Sequence, residues 1–294
     1  MVGLLDLPEV KPELQVFSSL FHNVRMHFMH RFFVLLIGCL IFTMSAQTWA
    51  ATAQKTDENT LALWTMDEVN SDPVLVKDGS GHKMDMTVNG EGSLKFVDGL
   101  FGKAVDGFDP QGNKDNRYLQ PPAYKLDNPA TQTFEAWVCW PDKKDLPGRT
   151  RQTIWRNAGS RTPLHFYFLK DKDGDIELTL LLRDAKKTNE AQTEYITWYL
   201  DKAPQPGQWY HVAYTIEPKG QGTMVKLYFN PQTVTETSPK PLVELHLEKF
   251  KFDTGRFVYR LGEEGQTGSD PFKGIIDDVR FSKIARTTFD TLAP

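Results

Sequence analysis

Three acidic residues at alternate positions, Asp173, Asp175 and Glu177, come closest in this sequence to a set of catalytic carboxylates. Alternate residues of a strand share one face. Retaining glycoside hydrolysis needs two carboxyl groups about 5–5.5 Å apart. Asp173, however, precedes Gly174, and Asp beside Gly favours a turn through local backbone bonding. The triplet therefore reads as a turn followed by two solvent-facing strand residues. Catalysis by Asp175 and Glu177 is the alternative.

A second acidic pair is adjacent: Asp277 and Asp278 in GIIDDVRFSK, residues 274 to 283. Adjacent strand residues point to opposite faces, so the two cannot form a simple dyad. Asp278 shares its side with Ile276 and Arg280, which suits a solvated or arginine-paired carboxylate. Asp277 is flanked on its side by Ile275 and Val279 and needs a partner. His82, His165, His211 and His246 show no HxxxH or similar metal spacing. No GxSxG nucleophile site occurs, and Cys139 lacks a cysteine-protease signature, so it reads as a core thiol.

Aromatic residues carry the best binding signal. Tyr124, Trp140, Trp155, Trp198, Tyr199 and Trp209 exceed what one core obviously needs. Their faces can bury the C–H surface of a sugar while polar neighbours bond its hydroxyls. Trp155 is surrounded by Arg151, Gln152, Arg156 and Asn157, and Trp198 by Glu194 and Thr197. These two tryptophans are the expected ligand-binding residues, whereas Trp137 and Trp209 are expected in the core.

The elements that must position these groups are strands. TFEAWVCW (133–140) alternates, and HFYFL (165–169) and DIELTLLL (175–182) flank the turn KDKDG. QWYHVAYTIE (208–217) turns at PKGQG and returns as TMVKLYFN (223–230). Ten or more short strands with regular turn signals imply a β-sandwich or barrel. No 20–50-residue repeat is present. Only residues 283–292 suit a helical turn or two.

Residues 32–42, FFVLLIGCLIF, are an apolar run preceded by His30 and Arg31 and followed by a small-residue cleavage site after Ala50. This pattern implies a secretory signal peptide over residues 1–50, too short in its apolar run for a membrane span. Translation from Met26 or Met29 would make residues 1–25 a gene-model extension. Cys39 sits in a lipobox-like LIGC, but the apolar run continues past it, so cleavage after Ala50 is the favoured reading. Residues 51–294 then form one exported domain, secreted or periplasmic, with Cys139 as its sole cysteine. With 40% hydrophobic residues and a net charge of −4, the composition is globular and lacks a nucleic-acid-binding basic stripe. Lys143, Lys144, Arg149 and Arg151 share a loop with Asp142 and Asp145 and read as solvated.

Seven segments then occur in a telling order: LALWTMDE (61–68), DGSG (78–81), GLFGKAVDGF (99–108), TFEAWV (133–138), GQWYHVAYTIE (207–217), VKLYFN (225–230) and FKGIIDDVRFSKIAR (272–286). Together they resemble a laminin G-like jelly-roll domain of the concanavalin A-like lectin/glucanase superfamily. The chain departs from the pattern at Pro231, where a glycine is usual, and in its shortened last segment. The resemblance implies an all-β fold of two stacked antiparallel sheets. It also implies a structural calcium joining the first and last strands, with Asp277 as a ligand and Asp67 or Asp78 as a second. Because the fold hosts many activities, function rests on the residues. They point to non-catalytic binding of a glycan or other surface polymer. A glycoside hydrolase or lyase, or a structural module associating with envelope proteins, is the alternative.

Overall fold

The computed structural model describes residues 51–292, apart from 72–73, 91–93, 107, 109–116, 143–145, 147–149, 159–162, 186–191, 235 and 264–269. The expected signal segment, with Cys39 inside it, lies outside the described residues, as do Lys143, Lys144 and Arg149 of the basic loop. Among the described residues no helix is long and apolar enough to cross a membrane.

Period-two patterning does produce two antiparallel sheets. The first has eight strands. It runs from the edge β15 (Val243–Leu247) through β14 (Gly222–Pro231), β13 (Trp209–Lys219) and β8 (Gln132–Cys139) to β17 (Ile275–Ser282). It continues through β6 (Lys103–Asp106) to β5 (Lys95–Asp98), and β1 (Thr60–Trp64) also pairs with β17. The second has nine strands. Its edge is β12 (Thr193–Tyr199), followed by β11 (Ile176–Arg183), β10 (Leu164–Lys170) and β9 (Thr150–Ala158). Beyond lie β16 (Val258–Leu261), β7 (Tyr118–Gln120), β4 (Met86–Asn89), β3 (Val74–Val76) and β2 (Val69–Ser71). The architecture is the two-sheet jelly-roll sandwich that the strand pattern and the resemblance implied.

Both expected hairpins form. Asp171 Oδ1 accepts the backbone N–H groups of Asp173, Gly174 and Asp175, which fixes the turn between β10 and β11. β13 and β14 pair continuously from Tyr210↔Pro231 to Lys219↔Gly222. The tail forms one short 3-10 turn, Asp290–Leu292.

The two sheets close on an aromatic core. Trp155, from β9, stacks on Phe134 at 5.0 Å and on Tyr259 at 4.9 Å, both at 20°. Trp64 and Phe281 pack against it at 6.0 and 6.2 Å. Offset aromatic stacks of this spacing add to simple area burial.

The far side of the eight-stranded sheet is covered as well, so β8 is buried on both faces. The chain ends do this. Trp137 Nε1 donates to Thr291 Oγ1 at 2.6 Å, and Phe289 packs on Tyr228 and His211. Beneath them Glu135 accepts hydrogen bonds from Arg280 Nε at 2.8 Å and lies 3.1 Å from His211 Nε2. Burial alone would raise the Glu135 pKa, but Arg280 and His211 hold it below the usual range. Cys139 is a buried core thiol, its pKa pushed up to about 11 by burial.

Candidate ligand-binding cleft

Trp198 lies on the edge strand β12, opposite Leu178 of β11. Leu178 is in the core, so the indole points toward the gap between the sheets. It is 40% exposed. There it lines a cleft of about 420 Å³ together with Leu200, Tyr210, Phe229 and Leu242. Asp201, Lys202 and Gln205 supply polar groups. An apolar cleft with a few polar groups, in this size range, is the usual form of a small-ligand site.

The cleft is held by ordinary local structure. Tyr210 and Phe229 lie diagonally across β13 and β14, stacked at 4.7 Å and 14°. The Pro-rich turn at 203–207 closes one side. Gln205 N donates to the Tyr210 hydroxyl at 2.9 Å, and Gly207 N to Trp140 O at 2.9 Å. Neither Tyr210 nor Phe229 stood out in the sequence, because both sit inside strand motifs that also read as core.

Trp155 is placed differently from the expectation. It is 0% exposed and stacked on both faces. A bulge between β9 and β10, at Phe166/Tyr167, breaks the alternation of β9. Ile154 and Trp155 therefore both face the core. A ring with no exposed face cannot be a ligand platform, so Trp155 is a core residue.

The acidic triplet does not form one strand face. Asp173 and Asp175 belong to the turn capped by Asp171, and β11 begins only at Ile176. Glu177 lies on β11 opposite Tyr199. Its carboxylate is bonded to the Tyr199 hydroxyl, whose pKa that bond raises.

The aspartate pair departs most from simple alternation. β17 shifts register between Asp277 and Arg280, and Asp278 has a φ of 42°. This bulge buries both carboxylates completely. Asp278 is therefore neither solvated nor paired with Arg280, whose guanidinium goes to Glu135, Asp290 and Lys55 O. Asp277 does have partners. Its Oδ2 accepts Leu100 N at 2.8 Å and Phe101 N at 3.0 Å, and its Oδ1 accepts Asp278 N at 2.8 Å. A Cβ at Gly99 would lie 2.5 Å from that Oδ2, which is why the GLFG segment needs a glycine there. Asp278 Oδ2 accepts Gln54 N at 2.7 Å, while its Oδ1 is buried without a hydrogen-bond partner. The amide oxygen and nitrogen of Gln54 are buried without partners too.

Asp78 and Asp67 are loop clasps. Asp78 accepts from Leu63 N, Ser80 N, Ser80 Oγ and Met84 N. Asp67 accepts Lys103 N at 2.7 Å. Among the described residues no group of three His, Cys, Asp or Glu side chains is arranged to hold a metal ion.

Comparison with known proteins agrees with this architecture. The profile of a family in the concanavalin A-like lectin/glucanases superfamily matches residues 111–289. No curated protein sequence matches the chain. Among solved structures, one similar domain is domain 4 of AbnA, a GH43 extracellular arabinanase from Geobacillus stearothermophilus, in complex with arabinotriose. It is 20% identical with a TM-score of 0.52, over 80% of this chain and 98% of that domain. The binding domain of botulinum neurotoxin serotype D is 11% identical with a TM-score of 0.51, over 79% of this chain and 49% of that one. The enzymatically active domain of bacteriophage CBA120 tailspike protein 2 is 17% identical with a TM-score of 0.50, over 68% of this chain and 29% of that one. The chain thus spans nearly all of the arabinanase domain but under half of the other two. At these identities the likeness is one of fold.

Proposed function

The chain belongs to the laminin G-like group of the concanavalin A-like lectin/glucanases superfamily, and from that premise we propose that it is an exported, non-catalytic module that binds carbohydrate through the cleft at Trp198. The observation that carries this reading is the half-exposed indole of Trp198 over a cleft with Asp201, Lys202 and Gln205 beside it. An indole face covers the C–H side of a sugar ring, and the polar groups take its hydroxyls. The arabinanase domain of the same fold was solved with arabinotriose, which makes short sugar chains the first ligands to try. Export is supported by the apolar run at 32–42. The hydrolase reading is weakened by the place of Asp175 in a turn and by the engagement of Glu177 with Tyr199. A glycan array read with the wild type and Trp198→Ala tests the proposal. Binding that Trp198→Ala removes supports it. A silent array, with an envelope protein recovered by cross-linking, replaces it with the structural-module reading.

Calcium belongs to the proposal in a revised form. Calcium takes six to eight oxygens, carbonyls and amides included. Asp277 has three N–H partners, whereas Asp278 and Gln54 keep buried polar atoms with none. Asp278 Oδ1 and Gln54 Oε1, buried and without hydrogen-bond partners, are the side-chain oxygens that would hold the ion. It would tie the start of the domain to its last strand. A melt with and without chelator checks this: the wild type should lose several degrees in chelator, and Asp278→Asn should lose that difference. Identical melts for the wild type would remove calcium from the account.

A further inference from the structure

The edge strand β12 carries more than Trp198. Of its residues, Tyr195 is 62% exposed and Tyr199 59%. Ile196 and Trp198 face the interior side, so Tyr195, Thr197 and Tyr199 face outward, the two tyrosines about 13 Å apart along the strand. The outward side chains of β11, β10 and β9 continue this face in ordered rows. Tyr199 is opposite Glu177, and Thr197 is opposite Thr179, which pairs in turn with Tyr167. The middle row is polar and linked, while Leu181 and Leu169 stand in the rows of Tyr195 and Tyr199. Thr179 and Thr197 hydroxyls lie 3.0 Å apart, and Arg151 sits 4.9 Å over the Tyr167 ring.

The charges of the face are matched. Arg151 pairs with Asp270 at 3.0 Å and Arg260 with Glu263 at 3.2 Å, while Glu177 and Arg183 of β11 add one charge of each sign. Such a surface offers exposed aromatic rings, hydroxyls and both donors and acceptors, with little surplus of either sign. A hydroxyl-rich, uncharged chain complements it; a polyelectrolyte does not. The face also joins the cleft through a single strand, since Trp198 and Tyr199 are neighbours.

We propose that this outer face is a second contact surface for the ligand, a neutral polysaccharide that crosses the β12 edge from the Trp198 cleft onto Tyr199 and Tyr195. The inference rests on the cleft reading and names its substrate class. The cleft alone holds a short oligosaccharide; only a longer one reaches the outer face as well.

The test uses the domain from residue 51, a soluble trimer and octamer of arabinose, xylose and glucose series, and polygalacturonate. The wild type should bind an octamer of one neutral series about tenfold more tightly than its trimer, through the linked second contact. Tyr195→Ala/Tyr199→Ala should remove that gain, keep trimer affinity and melt like the wild type. Binding should be insensitive to salt. If the double variant keeps the full gain, the outer surface is refuted while the cleft stands. If Trp198→Ala leaves trimer binding unchanged, the cleft reading itself fails. Salt-sensitive binding of polygalacturonate alone, or no binding at all, also overturns the inference.

Discussion

Trp198 and Tyr199 are adjacent in β12 yet serve opposite sides of its sheet: Trp198 pairs with Leu178 and lines the cleft, and Tyr199 pairs with Glu177 and bonds it from outside. Successive side chains of a strand point to opposite faces, and at this edge of the sandwich the inward Trp198 is itself 40% exposed. That explains how a single seven-residue strand presents three exposed aromatic rings.

Trp155→Ala separates the two tryptophans singled out by sequence. It removes a ring packed on Phe134, Tyr259, Trp64 and Phe281. The expected cost is about 3–5 kcal/mol, or roughly 6–20 °C in melting temperature. The folded fraction should still bind sugar with wild-type affinity. A stable variant that had lost binding would return Trp155 to the ligand surface.

The buried ion pair between Arg280 and Glu135 gives a second expectation. Glu135→Gln leaves a buried guanidinium without its main counter-charge and should lower stability by about 3–5 kcal/mol, read as a urea midpoint. Replacing both, as Glu135→Leu with Arg280→Met, should recover much of the loss. If the double variant is less stable than Glu135→Gln, the burial argument is wrong.

The aspartate pair sets a pH dependence. Burial, opposed by backbone N–H donors, pushes the Asp277 carboxyl up to about 7 and that of Asp278 up to about 8. Both pKa values lie above the unfolded value, so the folded chain holds protons that the unfolded chain has released. Their stabilising effect is complete below about pH 4 and is lost as pH rises through 7 to 8. In chelator, the melting midpoint should therefore fall between pH 5 and pH 8, and Asp278→Asn should flatten the slope. A midpoint that rises across that range contradicts the burial of these groups.

Much of this was legible in the sequence. The alternation in 133–140 and 208–230, and the turn chemistry at 171–175, led directly to β8, the β13–β14 hairpin and the capped turn. Alternation misled where a bulge broke it. Counting in twos gives Asp278 an outward side, and polar sequence neighbours suggest an accessible Trp155; both residues lie beside a register shift. A bulge depends on pairing with another strand, and nothing local to either residue announces it. The cleft was half visible: Trp198 stood out by its polar neighbours, but Tyr210 and Phe229 become neighbours only when β12 meets the β13–β14 hairpin.

The central claim is that Trp198 holds a sugar. Isothermal titration of the wild type and Trp198→Ala with the best oligosaccharide from a glycan array tests it most directly. The account predicts that the variant melts within a few degrees of the wild type and binds at least about tenfold more weakly, the loss of one aromatic contact. Equal affinity in the two proteins would contradict it.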